Sequence, residues 1–502
     1  MSQRFVRSTL RRLFLRGRLL HPVWRGVIFL VALFAANGVL SAVLGIVYFL
    51  FLLVTGRSPE EALVALQAGR LPRPIWLGTG LYRLAVALGL ALGLGRLLDQ
   101  EPPETMGLAP VRWARDGGLG LLFGAGTMLA VGGTLLALSP RPRVGAGGAG
   151  TLSFAVDVLA FLTAAAAEEV VFRGYLQRLF SAWKGPAVGI AVSSVLFAVF
   201  HMWNPHITPL ALVNIGLAGV AFALAVEWTG TLWLATGYHF AWNLFQGSVL
   251  GLPVSGMAWE GLLTLPTDGP ALLTGGSFGP EGGLLATAVL LLSLIPLRAL
   301  TRRPATVAIA LQRQRAQVER QTGPLPYRHH SLRVGPRFFQ DARDSILNHG
   351  NREGEVVLVL RRPDGLVLLH NKSFYPDGVH RLPSGGIRRG ETVLAAVARE
   401  TAEETGLVAR NVRPLGVLSY RLWCGRESLF FHSWLVEAEV EGDPCPNDDG
   451  ERIVGFRWVE AQALPEVAAA LRALPPEWAD WGRFRALAHD AARIWSEKRE
   501  QG

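Results

Sequence analysis

The sequence predicts a multi-domain chain: an all-α polytopic membrane helical bundle of about eight spans, followed by a soluble α/β or α+β domain. Three observations predict it. Half of the 502 residues are hydrophobic and the mean hydropathy is +0.30, which puts at least one domain in a lipid bilayer. Residues 1–25 carry Arg4, Arg7, Arg11, Arg12, Arg16, Arg18 and Arg25 with no acidic residue, directly before a long apolar run. At about residue 300 the apolar runs give way to polar segments with strand and helix periodicity.

A basic head before a hydrophobic span reads as a cytoplasmic anchor under the positive-inside rule. The alternatives are a nucleic-acid patch and an Arg-rich transit peptide, but a transit peptide is not usually followed at once by such a span, and no nucleic-acid partner is expected. The apolar run at 23–54 is ample for a hydrocarbon core about 30 Å thick. Further candidates follow at 75–98, 117–138, 152–172, 187–203, 207–227, 229–250 and 281–298. An even count returns the chain to its starting side, and "LRALTRR" at 297–303 is basic like the head, so both ends read as cytoplasmic in a multi-pass protein of the cell membrane. Only Cys424 and Cys445 are present, which excludes a disulfide scaffold and a CxxC zinc site and fits a reducing compartment.

The expected organisation is a basic N-terminus at 1–22, a membrane domain at 23–299, a juxtamembrane helix and linker at 300–330, a soluble domain at 331–475 and a helical tail at 476–502. In the soluble part, 356–360 and 366–369 flank the turn "PDG" and predict a hairpin. Helical periodicity marks "ETVLAAVARETAEETGL" and "PEVAAALRAL".

Three charges interrupt the apolar stretch "FLTAAAAEEVVFRGYLQRLF": Glu168, Glu169 and Arg173. A charge near the middle of a spanning helix costs about 2.5–3.5 kcal/mol on insertion scales, so such residues are functional candidates. Glu169 and Arg173 stand at i, i+4 in the favourable order and can pair. Glu168 lies about 140° from Arg173 on a regular helix and is left to act. Other apolar segments carry His201 in "VLFAVFHMW", and His239 with Asn243 on one face of "ATGYHFAWNLF". Converging in a polar cavity, a buried glutamate can serve as general base and histidine or asparagine donors can stabilise an oxyanion.

The ordered set EExxxR (168–173), FxxxH (197–201) and HxxxN (239–243) resembles the CAAX protease and bacteriocin-processing family of intramembrane endopeptidases. The resemblance implies that Glu168 and His201 activate a water while His239 and Asn243 form the oxyanion hole, with a peptide or membrane protein as substrate. Glutamate with two histidines is also a ligand set for catalytic Zn²⁺. A proton-coupled carrier is the reading of another class, since intramembrane Glu/His chains also mark proton paths.

In the soluble part, Glu400, Glu403 and Glu404 share one helix face at i, i+3 and i+4. Three clustered carboxylates repel one another, and hard oxygen ligands of this kind suit Mg²⁺ or Mn²⁺. Gly385, Gly386 and Gly390 allow a tight loop whose backbone can approach a metal or phosphate. The stretch resembles the Nudix hydrolase signature Gx5Ex7REUxEExGU: Gly385, Glu391, Arg399, Glu400, Glu403, Glu404, Gly406 and Leu407 fall in place, and Thr401 departs where an aliphatic residue is usual. The resemblance implies a mixed sheet between helices, an α/β/α sandwich. It makes Glu400, Glu403 and Glu404 metal ligands with one of them, Glu400 first, as base. Gly385 lies at the metal, Arg399 orients the carboxylates, and Glu391 supports the loop. A further ligand comes from a later loop, where Glu451 is the candidate and Asp448 and Asp449 compete. The implied substrate is a nucleoside-diphosphate-type small molecule; the alternative is a nucleotide sensor regulating the membrane half.

Overall fold

The computed structural model describes residues 15–16, 19–55, 73–99, 106–108, 113–139, 144–266, 268–300, 307–323, 325–345, 352–425, 427–445 and 452–500. The basic head at 1–22 lies almost wholly outside these. The chain divides into two compact units, Met1–Arg303 and Pro304–Gly502.

The first unit is helical: α1 (Pro22–Thr55), α2 (Arg73–Leu94), α3 (Trp113–Leu138) and α4 (Thr151–Glu169). A π-helical stretch, Val170–Gln177, continues α4 into α5 (Arg178–Lys184). Then come α6 (Pro186–Phe200), α7 (Pro209–Thr229), α8 (Trp233–Leu244) and α9 (Leu284–Leu300). Among the described residues four stretches, Pro22–Val47, Arg73–Leu98, Trp113–Leu138 and Pro209–Thr229, are long and apolar enough to cross a membrane, as expected of a multi-pass protein. The sequence led us to expect eight. Helices α6 and α9, with 15 and 17 residues, are apolar but shorter than a regular span, which needs about 20. The other two differ in conformation: α4 turns π-helical after Glu169, and α8 does so after 12 residues.

Glycines set how closely these helices cross. A Cβ on Gly120 or Gly124 of α3 would collide with the carbonyls of Leu234 and Tyr238, and one on Gly237 of α8 with the carbonyl of Gly117. The two helices therefore meet backbone to backbone, as small residues allow inside membranes. That contact fixes the position of His239, two residues beyond Gly237. At the start of α2, Arg73 donates from Nε to Asp157 (2.9 Å) and from Nη2 to the Glu260 carbonyl (2.7 Å). Asp157 also accepts from Ser248 and Trp259, at 2.8 and 3.2 Å. A buried carboxylate is thus fully engaged and ties the 251–266 loop to α2 and α4.

The second unit is a mixed sheet with helices packed on both faces. Its strands are β1 (Tyr327–Arg333), β2 (Arg352–Arg361), β3 (Val367–Lys372), β4 (Ser384–Arg388), β5 (Arg410–Cys424), β6 (Glu427–Glu439) and β7 (Ile453–Val459). The order is β7-β3-β2-β6-β5-β1, with β4 on β2. The pairs β6/β2 and β1/β5 are parallel. Along β2, Val356, Leu358 and Leu360 face one core while Val357 and Val359 face the other, the alternation a strand imposes. One face is covered by α12 (Val393–Thr405) and α10 (Val307–Thr322), the other by α11 (Pro336–Arg343), α13 (Leu464–Arg472) and α14 (Ala479–Glu500).

The predicted hairpin forms only at its turn. Arg361 pairs with Val367 and no further pair follows, because β4 takes the β2 edge from Arg352 to Val357. Of the segment expected as a juxtamembrane helix and linker, the helix is present as α10 and packs against the sheet. Leu311 and Val318 of α10 join the core, and Gln314 is buried with its Oε1 accepting from His432 Nε2 (2.9 Å) and Trp434 Nε1 (2.8 Å). The tail expected at 476–502 is likewise mostly core, through Phe484, Ala488, Ala491 and Trp495.

Burial pushes the His432 imidazole down to about 3. The unfolded chain, with a histidine near 6.5, takes up its proton first as pH falls, so stability present above pH 6.5 is lost progressively between about 6.5 and 3. Lowering pH from 7 to 5 is expected to cost this unit about 2 kcal/mol through His432. Hydrogen exchange of β6 amides in the full-length protein should show this loss reduced by about that amount in His432→Gln; an unchanged pH slope would refute the assignment.

Candidate active sites

In the membrane unit, α4 delivers the two glutamates and the π-helical stretch delivers Arg173. Inserted π-turns recur at functional sites, and this one buries every residue from Val170 to Gln177. Arg173 donates to Glu169 Oε1 (3.1 Å) and to the Gly219 carbonyl of α7 (3.1 Å), and its guanidinium lies 4.4 Å from the Phe197 ring centre. The pair read from the spacing is present, with both side chains fully buried. Glu169 does more than the spacing showed, since its Oε1 also meets His239 Nδ1 at 3.0 Å.

Glu168, about a third exposed, stands with Oε2 3.8 Å from His239 Nε2. That oxygen is buried and has no hydrogen-bond partner among the described residues. His201 caps α6, and its Nδ1 lies 2.7 Å from the Phe197 carbonyl. Glu168, His201, His239 and Asn243 all line one cavity of about 400 Å³. The structure brings Glu168 to His239, whereas a direct bond from Glu168 to His201 is not among those formed.

Sequence reasoning passed over two charges lining the same cavity. Glu281 accepts from the backbone N–H and hydroxyl of Ser255, at 2.7 and 3.0 Å. Arg83 comes from the middle of α2. A lone arginine in an apolar segment was the signal for one; Glu281, at the edge of its segment, gave none. Asn214 of α7 donates to the carbonyls of Glu281 (2.8 Å) and Gly283 (3.0 Å).

In the soluble unit, Thr392 caps α12 by accepting from Ala395 N (3.1 Å), and Gly406 ends it in a left-handed turn. Arg399 binds the carboxylates together. It donates to Glu391 Oε1 and Oε2 (both 2.8 Å), Glu400 Oε1 (2.6 Å), Glu403 Oε2 (2.9 Å) and the Gly386 carbonyl (2.7 Å). The guanidinium pKa is raised, chiefly by its bond to Glu391. Burial pushes Glu400 up to about 7, against the lowering by Arg399.

Gly385 lies beneath this carboxylate, where a Cβ would run into the Glu400 side chain. Glu404 is buried and accepts from Lys372 Nζ (3.1 Å), a partner the motif did not disclose. Beside it, 3.9 Å away, His370 is held well below the ordinary histidine range by burial, with Arg381 and Lys372 adding to the effect. Thr401 is buried with its hydroxyl lacking a hydrogen-bond partner among the described residues, the cost of departing from an aliphatic residue. Glu451, Asp448 and Asp449 lie outside the described residues.

Among the described residues no three His, Cys, Asp or Glu side chains stand close enough together to hold a metal ion. In the soluble unit Arg399 and Lys372 now engage the carboxylates, yet the donor set on α12 is all hard oxygen and suits Mg²⁺ or Mn²⁺. In the membrane unit Glu168, His201 and His239 do not form a zinc cage.

These geometries define a polytopic helical unit with a glutamate–histidine cavity and a mixed α/β unit with a carboxylate helix. Residues 151–245 match the family model for type II CAAX prenyl endopeptidases, Rce1-like, and residues 351–481 match the NUDIX domain. The RNA pyrophosphohydrolase of Caulobacter vibrioides is 30% identical over 139 residues, covering 24% of this chain and 79% of that protein. The chain therefore belongs to the Nudix family in its second unit and carries an Rce1-like CAAX prenyl endopeptidase region in its first. It is also 28% identical over 117 residues to the NAD-capped RNA hydrolase NudC of Photobacterium profundum, covering 23% of this chain and only 41% of that relative's length. Among solved structures, the MutT protein from Bacillus halodurans is 22% identical with a TM-score of 0.20, covering 22% of this chain and 71% of that one.

Gly385→Ala is expected to push the Glu400 carboxylate off Arg399 and destabilise the unit by about 1–3 kcal/mol. Thermal melting reads the effect, and an unchanged midpoint in the variant would show that the close approach is dispensable.

Proposed function

We propose that the chain is a bifunctional membrane hydrolase, an intramembrane endopeptidase joined to a Nudix diphosphate hydrolase. The observation that carries the first half is the buried, unpartnered Glu168 Oε2 facing His239 Nε2 across a cavity. The Rce1-like match over 151–245 supports the same reading. We place eight apolar helices in the bilayer, the shorter ones tilted little or pinching it, with both chain ends cytoplasmic.

The hydrogen bonds suggest each histidine's role. A carbonyl and a carboxylate only accept, so Nδ1 of His201 and of His239 each carries the proton. With both rings taken as neutral in this proposal, their Nε2 atoms offer lone pairs. A water between Glu168 and His239 therefore donates to both, and the carboxylate takes its proton as oxygen bonds to the scissile carbonyl carbon. The C–N bond breaks as Glu168 returns that proton to the leaving amine. This moves neutral His239 from the oxyanion donor that the resemblance implies to an acceptor for the water, and leaves oxyanion donation to the Asn243 amide. His201 Nε2 is the second acceptor on the cavity wall.

In the soluble half the substrate is a nucleoside-diphosphate-type compound, and the relatives' names extend the range to the 5′ end of RNA. Glu400, Glu403 and Glu404 would hold Mg²⁺ or Mn²⁺, where diphosphate charge is neutralised. Arg399 keeps Glu400 and Glu403 side by side, and Glu400, its proton affinity raised by burial, is placed to accept a proton from water near neutral pH. An active set of carboxylates favours hydrolysis over nucleotide sensing alone.

Glu168→Gln is expected to lower peptide cleavage by about 100-fold or more with the fold intact. Glu169→Gln leaves Arg173 buried without its counter-charge and should also cost about 3–5 kcal/mol of stability. Proteome-derived peptides read by mass spectrometry, beside thermal unfolding in detergent, test the contrast; equal effects on both readouts would refute the division of labour. If chelation abolishes that cleavage and Zn²⁺ restores it, the metal-free water is wrong.

A screen of the full-length protein against nucleoside diphosphates linked to other groups, dinucleotide cofactors and 5′-triphosphate or NAD-capped RNA should yield Mg²⁺-dependent diphosphate cleavage that Glu403→Gln removes. No turnover of any of these in Mg²⁺ or Mn²⁺ would sink the hydrolase reading.

A further inference from the structure

A carboxylate held away from bulk water keeps its charge cheaply only where a cation meets it. Two buried carboxylates of the helical unit follow this rule. Asp157 is paired with Arg73 and Glu169 with Arg173. Glu281 is different: it lines the cavity and takes hydrogen bonds from neutral donors, the backbone N–H and hydroxyl of Ser255, both on Oε2. No arginine, lysine or histidine forms an ion pair with it among the described residues.

The chain around Glu281 is bent to fix that carboxylate. Ser255 has a φ of 50°, in the left-handed region, at a cost of about 1–3 kcal/mol, and the turn brings both of its donors onto one oxygen. From the other side, Asn214 near the start of α7 holds the carbonyls of Glu281 and Gly283. Phe222, about 12 Å further along α7, stacks on the His239 ring at 4.9 Å. Glu281 thus stands about 12 Å along the helix axis from the level of His239, the length of about three or four extended residues.

We propose that Glu281 is a specificity-determining residue of the membrane site: it binds the ammonium or guanidinium of a basic side chain about three or four residues from the bond that is cut. This rests on the reading of that site as a peptidase. The chemistry selects the ligand. Ser255 orients the carboxylate without neutralising it, so the charge is met only when a cation enters the cavity. The walls favour the same ligand. Trp76 and Trp259 line the cavity with ring centres 5.8 Å apart, and aromatic faces attract organic cations. Trp259 belongs to the same loop as Ser255. A single carboxylate flanked by indole rings lacks the several oxygen ligands that a bare metal cation requires, whereas one carboxylate is a full partner for one ammonium.

The test uses full-length protein carrying Glu168→Gln, with leucine–valine hexapeptides blocked at both ends and containing one lysine, or norleucine in its place. Titration calorimetry in detergent should show the lysine peptide binding about tenfold tighter than the norleucine peptide, the scale of one charge-assisted contact. Adding Glu281→Gln keeps an acceptor for Ser255 but removes the charge, and should bring the lysine peptide down to the norleucine affinity. Glu281→Asp should keep part of the preference, and melting midpoints identify any variant that fails to fold. Equal affinity of the two peptides, no binding of the lysine peptide at millimolar concentration, or a preference that survives Glu281→Gln overturns the proposal. Cleavage of a peptide library by the otherwise unaltered chain separates the two failures. Cleavage without enrichment of basic residues near the cut defeats the role of Glu281 alone. A Glu281-dependent lysine preference in binding without any cleavage upholds Glu281 while defeating the peptidase.

Discussion

A charge taken out of water must meet an opposite charge or a full set of hydrogen bonds, because its desolvation costs several kcal/mol that nothing else in an apolar interior returns. Both halves of this chain meet that constraint with an arginine one helical turn from a glutamate. Arg173 follows Glu169 by four residues, and Arg399 precedes Glu403 by four. In each case the guanidinium also reaches a backbone carbonyl from elsewhere, Gly219 in one half and Gly386 in the other. The arginine thus fastens its own helix to a neighbouring element while neutralising it. What remains after that pairing is a Glu168 oxygen without a hydrogen-bond partner among the described residues, beside the engaged Glu169, and a Glu400 whose proton affinity stays high despite its contact with Arg399.

Much of this was legible in the sequence because it is local. The i, i+4 relation of Glu169 to Arg173 and the shared face of Glu400, Glu403 and Glu404 follow from helix periodicity, and the motif spacings named the cavity's histidines. Other features come from contacts far apart in the chain. Gln314 meets His432 across 118 residues and Arg73 meets Glu260 across 187, and no window of periodicity contains both partners. For that reason the segment at 300–330 read as a juxtamembrane helix and linker, although Leu311, Gln314 and Val318 of α10 face a sheet not yet formed at that point in the chain. The π-helical stretch after Glu169 was equally invisible, since it depends on what Arg173 reaches on α7.

The glycines show the same logic from the side of packing. Gly120, Gly124 and Gly237 read individually as weak points in helices, which is their intrinsic effect. Together they remove the side chains that would hold α3 and α8 apart, and the close crossing sets where His239 enters the cavity. Gly385 works likewise at the other site, where the absent Cβ is the space that the Glu400 carboxylate fills. In both halves a cavity or carboxylate side chain is placed by an atom that is missing.

Glu169 connects these threads. By accepting from both Arg173 and His239 it is neutralised, and it also selects which imidazole nitrogen carries the proton. The orientation of one ring then follows from a carboxylate that is itself fully buried. With Nδ1 committed to Glu169, Nε2 is the ring nitrogen turned toward Glu168, 3.8 Å away. The buried pair therefore does more than stabilise the helix: through Glu169 it fixes which edge of the His239 imidazole faces the cavity that Glu168 also lines.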